Sequence, residues 1–177
     1  DEQDAEIASS PDQEGVMDRG DWRLARLAVS EGDATLLMSQ WLLGNATPED
    51  VQDVVAAGAD PAQAALLERI PAILKEPLLF PYQTGLAFVQ AQQAQGGWAA
   101  VDRLYERMPE STEQIIHPEK YAAGEAPVKV DLPADLGARL GDGWTVPIQD
   151  TFGELQTGIW LREGGVDAEV AGDAAAG

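Results

Sequence analysis

The chain contains no cysteine, which excludes disulfides, thiolate metal ligands and a cysteine nucleophile. It has a single histidine, His117, so a metal site built on two or three imidazoles cannot come from this chain alone. Bases are scarce: 11 Lys and Arg stand against 31 Asp and Glu, a net charge of −20. A nucleic-acid binder needs cations to displace counterions from phosphate, so nucleic acid is excluded as a partner, and anionic lipid would be repelled in the same way. No apolar run approaches the roughly 20 residues of a membrane span, and no stretch reads as a signal peptide. HExxH, GxSxG, the P-loop, GxGxxG and the EF-hand loop are all absent, so self-contained hydrolase chemistry has no support. The chain opens on DEQDAEIASSPDQEG without Met, and we read it as a processed or truncated portion of a longer chain.

What remains is a 177-residue globular composition, 45% hydrophobic, with five Trp. Its apolar stretches are rich in Leu, Ala and Val, which favours helix. Residues 1–18 read as a flexible acidic lead-in. From Asp21, a candidate cap, a long helix is predicted through DWRLARLAVSEGDATLLMSQWLLG, with Leu24, Leu27, Ala28, Ala34, Leu37, Met38, Trp41 and Leu42 at three- and four-residue steps. Thr47-Pro48 and Asp60-Pro61 each open a short helix. Pro71, Pro77 and Pro81 are expected to break the next stretch into a turn followed by a helix over about 82–95. A helix with the face Trp98, Val101, Leu104, Tyr105 and Met108 follows, and Ser111 or Thr112 can cap one more turn. VKVDL and GWTVPIQD are the strand candidates. TFGELQTGIWLREG is the last helix, begun by Asp150 or Thr151, with Leu155, Ile159 and Trp160 on its apolar side. The expectation is a mainly α fold, one helical domain over 19–165 with a minor β-hairpin, and an Ala/Gly-rich tail over 166–177 that either begins another helix or frays.

Three places can carry chemistry. Glu31-Gly32-Asp33 lies inside the long helix, with Glu31 on or beside its apolar face, where a carboxylate must be paired, hydrogen-bonded or metal-bound. Gly32 costs roughly 1 kcal/mol against Ala in mid-helix, so a close approach by another backbone or a ligand must compensate. The alternative, which the residues alone favour, is that both acids face solvent and Gly32 admits a neighbouring helix. His117 can serve as a general acid, a hydrogen-bond donor to a transition state or a pH switch, with Tyr121 as a second donor. A satisfied loop histidine explains it as well. Glu154 is explained by its place in the first turn of the last helix, where the dipole favours a carboxylate.

Three segments in order, LARLAVSEGDATLLMSQWLL, STEQIIHPEKY and DTFGELQTGIWLRE, resemble a family of bacterial, mostly exported proteins that look like gluzincin-type zinc metallopeptidases. In that family an HExxH helix comes shortly before an EGDA-like segment. The resemblance covers roughly residues 20 to 165. It implies Glu31 as the third zinc ligand, Asp33 as its supporting carboxylate, His117 as a donor to an oxyanion and Tyr121 as its aromatic neighbour. It also implies that the two-histidine helix lies before Asp1, so zinc is expected only when that segment is present. The resulting reading is a fragment of a metallopeptidase-like protein, not catalytic alone, that contributes the third ligand and the helical substrate-side subdomain. The alternative is an acidic helical structural or binding subunit of an extracytoplasmic assembly. Both imply a protein partner or the remainder of the parent chain.

Overall fold

The computed structural model describes residues 19–58, 61–128, 130–144 and 149–176. The long helix forms as predicted: α1 spans Gly20–Asn45. Two short helices follow, α2 (Pro48–Gly58) and α3 (Pro61–Glu68), and then α4 (Ala72–Gly96). The most extensive packing in the molecule is α1 against α4. A Cβ placed on Gly32 would lie 2.4 Å from the Gly85 carbonyl oxygen, and one on Gly85 would lie 2.3 Å from that of Ala28. The two backbones therefore touch, and only glycine fits at the crossing. Further along, the Gln40 and Gln93 side chains hydrogen-bond to each other at 2.7 Å. Both pairings keep the same offset of 53 residues, so α1 and α4 run parallel, and α2 and α3 form the connection that returns the chain.

Close approach dictates which side of α1 is buried. The buried positions are Asp21, Ala25, Ala28, Val29, Gly32 and Leu36, mostly small. The larger apolar residues that the periodicity had singled out, Leu27, Leu37, Met38 and Trp41, are exposed. On α4 the expectation of a break fails: Pro77 and Pro81 both lie inside one continuous 25-residue helix. Each proline removes a donor to the carbonyl four residues back. Against that cost, Pro81 is itself fully buried beside Phe80, Gly85, Phe88 and Val89, so core packing overrides the local preference.

Helix α5 (Trp98–Glu106) places Val101 and Leu104 in the core, α6 (Thr112–Ile116) adds Ile115, and α7 (Pro118–Ala123) adds Tyr121, whose ring meets Phe88 edge-on at 5.3 Å. After α8 (Leu136–Leu140), helix α9 (Glu154–Glu163) packs on α4, α6 and α10 (Ala168–Ala176). Ile159 and Ala171 are both fully buried, whereas Trp160, expected on the inner side, is exposed. The tail thus takes the helical alternative, and Lys120 Nζ donates to the Ala176 carbonyl at 3.1 Å.

The expected hairpin is not seen: there is no strand among the described residues. Val128 and Val130 are 88% and 80% exposed. A two-stranded hairpin needs a further strand or a helix face to hold it, and these valines cover nothing. Residues 129 and 145–148 of the two candidate strands, and the whole 1–18 lead-in, lie outside the described residues.

Candidate functional site

The N-termini of α1, α6 and α9 meet, and each is satisfied by a residue from elsewhere in the chain. Asp21 does not cap its own helix. Its carboxylate accepts from the Thr112 backbone N–H (3.0 Å) and hydroxyl (2.6 Å) at the start of α6. The Thr112 hydroxyl oxygen in turn accepts from Leu155 N at the start of α9. Asp150, which precedes α9, accepts from Gly20 N of α1 at 2.7 Å, across 130 residues of sequence. The fit leaves no space for side chains: a Cβ on Gly153 would fall 1.9 Å from Asp21 Oδ1. Burial pushes the Asp21 carboxyl above its ordinary pKa, and the Thr112 bonds partly offset this. Beside this junction lies an open cleft of about 650 Å³, lined by Arg19, Asp21, Trp22, Asp150 and Phe152 among others.

His117 sits between α6 and α7, where Pro118 ends one helix and begins the next. Its Nε2 lies 2.9 Å from Glu154 Oε1, and its Nδ1 lies 3.4 Å from Glu119 Oε1. Glu154, the first residue of α9, has a side chain only 9% exposed, and its second oxygen, Oε2, is buried without a partner. Desolvation raises the Glu154 pKa; His117 opposes the rise, and Glu113 adds to it. Lys120 completes the cluster, paired with Glu113 and, at 3.5 Å, with Glu125. Chemically this is a histidine held by carboxylates, one of them largely buried beneath it. Among the described residues, no hydroxyl nucleophile is hydrogen-bonded to His117, and no group of three His, Asp or Glu is placed to hold a metal ion.

The Tyr121 side chain is not directed at the His117 ring, although its backbone N–H donates to the His117 carbonyl at 3.4 Å. Its hydroxyl donates to the Arg107 carbonyl at 2.7 Å, and the Arg107 guanidinium lies over its ring at 4.5 Å. Glu31 and Asp33 are also separated, because two helical steps turn about 200°. Asp33 accepts from the Tyr105 hydroxyl at 2.8 Å. Burial and this carboxylate push the Tyr105 pKa up to about 12. Glu31 is half-buried, and its side chain makes no hydrogen bond or ion pair among the described residues. It lies in a row with Leu27, Ala34, Met38 and Trp41, spaced at four- and three-residue steps, and those four are exposed. This row faces away from α4. The cap exchange through Asp21, Thr112 and Asp150 escaped sequence reasoning because each residue was explained by a cap on its own helix. The Glu154–His117 contact had no local signal at all.

No protein-family model, no curated protein and no solved structure matches the chain. The likeness to gluzincin-type peptidases therefore rests on the three sequence segments alone.

Proposed function

We propose that this chain is the helical, non-catalytic portion of a zinc-metallopeptidase-like protein, and that Glu31 offers its carboxylate to a second helix seated along α1. The supporting observation is an unpaired, half-buried carboxylate in the middle of an exposed apolar row. A row with three- and four-residue spacing is the seam that a second helix needs, and a lone acid within it needs a partner there. Of the residues that the resemblance implies for zinc, Glu31 fits as one ligand. Asp33 does not share its side of the helix and is committed to Tyr105. Zinc, where an HExxH helix supplies two further ligands, would provide Lewis-acid activation of water. Glu31's part would be to hold the ion in place. His117, fixed by Glu154, is the available proton carrier on this chain.

The second reading is an acidic helical subunit of an extracytoplasmic assembly without catalysis. It is favoured by the extent of the exposed apolar surface, which includes Leu37, Met38 and Trp41 of α1. No helix among the described residues is long and apolar enough to cross a membrane.

Peptide mass spectrometry and metal analysis of the protein isolated from its source separate the two. The first reading expects an HExxH-bearing segment in equal amount and about one zinc per particle, with zinc lost in Glu31→Gln and retained in Asp33→Asn. Material with neither the segment nor zinc would refute it and leave the assembly reading.

A further inference from the structure

The last two helices bring little to the main core and are tied to the chain by polar bonds. Among the residues of 122–153 whose burial is described, none is buried, so a long uncovered connection precedes them. Ile159 is the one buried residue of α9 and Ala171 the one of α10. Neither belongs to the main apolar core, which only the half-buried Leu155 of these helices reaches. Leu155 N–H donates to Thr112 Oγ1, Arg162 to Glu76 and Lys120 Nζ to the Ala176 carbonyl, and His117 Nε2 meets Glu154 Oε1. An element with so little buried apolar surface opens locally before the rest of its fold.

One of these ties depends on a proton. Both ring nitrogens of His117 face carboxylate oxygens, Nε2 at 2.9 Å from Glu154 Oε1 and Nδ1 at 3.4 Å from Glu119 Oε1. The imidazolium donates to both. The neutral ring donates to one and turns a lone pair on the other. The neighbouring charges act in the same sense. Helix α6 supplies Glu113, α7 supplies Glu119 and Lys120, Glu125 follows α7, and α9 supplies Glu154. With the ring neutral, Lys120 stands alone against those four carboxylates. Glu154 Oε2 is buried without a partner, so the ionised carboxylate rests on its His117 bond. Desolvation raises the Glu154 pKa, which works in the same direction: protonation and the closed arrangement favour each other. Further along the interface, Asp21 is bonded to Thr112, and α10 adds the Ala176 carbonyl on Lys120.

We propose that His117 and Glu154 form a proton-dependent latch, which holds the α9–α10 pair on the helical body while the cluster carries its proton and frees it as pH rises through the range where histidine titrates, roughly 5 to 8. Release uncovers Ile159 and the surfaces of α4 and α6 on which α9 packs. The latch uses neither Glu31 nor any zinc site, so it stands or falls independently of the proposed function.

The test is hydrogen exchange on the full chain, expressed as protection relative to an unstructured chain at each pH, alongside proton NMR. The chain has one histidine, so its imidazole signal reports His117 directly. Between about pH 5.5 and about pH 8.5, protection over 154–176 should fall by at least about tenfold, following the His117 titration, while α1 and α4 keep theirs. That comparison is made on the parent chain and does not depend on how any variant folds. His117→Gln and Glu154→Gln should each remove most of the pH dependence. Arg162→Gln, which breaks the tie to Glu76, should lower protection at both pH values and leave the dependence intact, as a merely structural link would. The proposal is overturned if protection over 154–176 is the same at both pH values, if α1 and α4 lose theirs together with it, or if the dependence survives in both His117→Gln and Glu154→Gln.

Discussion

Gly32 and Gly44 occupy the same helix, α1, and their surroundings are opposite. At Gly32 the α4 backbone is so near that a methyl group would overlap it; at Gly44 nothing lies within 4 Å. The contrast extends to the segments on either side. The first part of α1 buries small residues against α4, whereas the last part and the α2–α3 connection keep their large apolar residues in solvent. The first region supplies the stability of this chain. The second leaves its apolar side chains uncovered. Apolar content alone does not separate a core from an exposed face; the helix packed against it does.

The comparison can be broken most directly at the crossing. Gly32→Ala should destabilise the chain by about 3 kcal/mol in urea denaturation, since two helix backbones must move apart. Gly44→Ala should stabilise it by about 0.5–1 kcal/mol through helix propensity. Equal effects at the two positions would mean that α1 and α4 do not touch at Gly32. Next in size, Asp21→Ala leaves the buried donors of Thr112 unsatisfied and should cost about 2 kcal/mol in the same assay. Smaller still, Val54→Ser should change the stability of the isolated chain by less than about 0.5 kcal/mol, because that side chain covers nothing.

Two further measurements sharpen the electrostatic side. The Glu154 carboxyl titrates above its ordinary value of 4.5 because it is desolvated. A raised carboxyl favours folding while protonated, so its contribution is fully present below about pH 4.5 and is lost as pH rises through the folded-state pKa. Glu154→Gln should flatten the stability profile on the acid side of neutrality, as followed by denaturation at several pH values. A variant profile that parallels the parent would place the titration elsewhere. Tyr105, held near 12 by burial and Asp33, should titrate closer to 10 in Asp33→Asn by ultraviolet absorbance.

Much of the helical content was legible from local signals. The extent of α1, the Thr47-Pro48 start of α2 and the serine cap of α6 all follow from residues adjacent in sequence. The continuity of α4 was not legible, because Pro77 and Pro81 break helices by local rules and are retained here by burial of the face around Phe80 and Phe88. The candidate site was legible only as single residues. His117 and Glu154 were each noticed, but their contact spans 37 residues of sequence, and Tyr121, adjacent in sequence to the histidine segment, turns to Arg107 instead.

By itself the sequence determined that this chain is acidic, free of thiols, helical, and in need of some compensation at Gly32. Those properties follow from composition and from interactions within a few residues. Which compensation occurs, which side of α1 is core, and which carboxylate serves which helix were decided only when distant segments met. Burial and desolvation depend on what packs against a residue, and a helix N-terminus accepts any carboxylate that reaches it. In this fold Asp21 reaches α6, and Asp150 reaches α1.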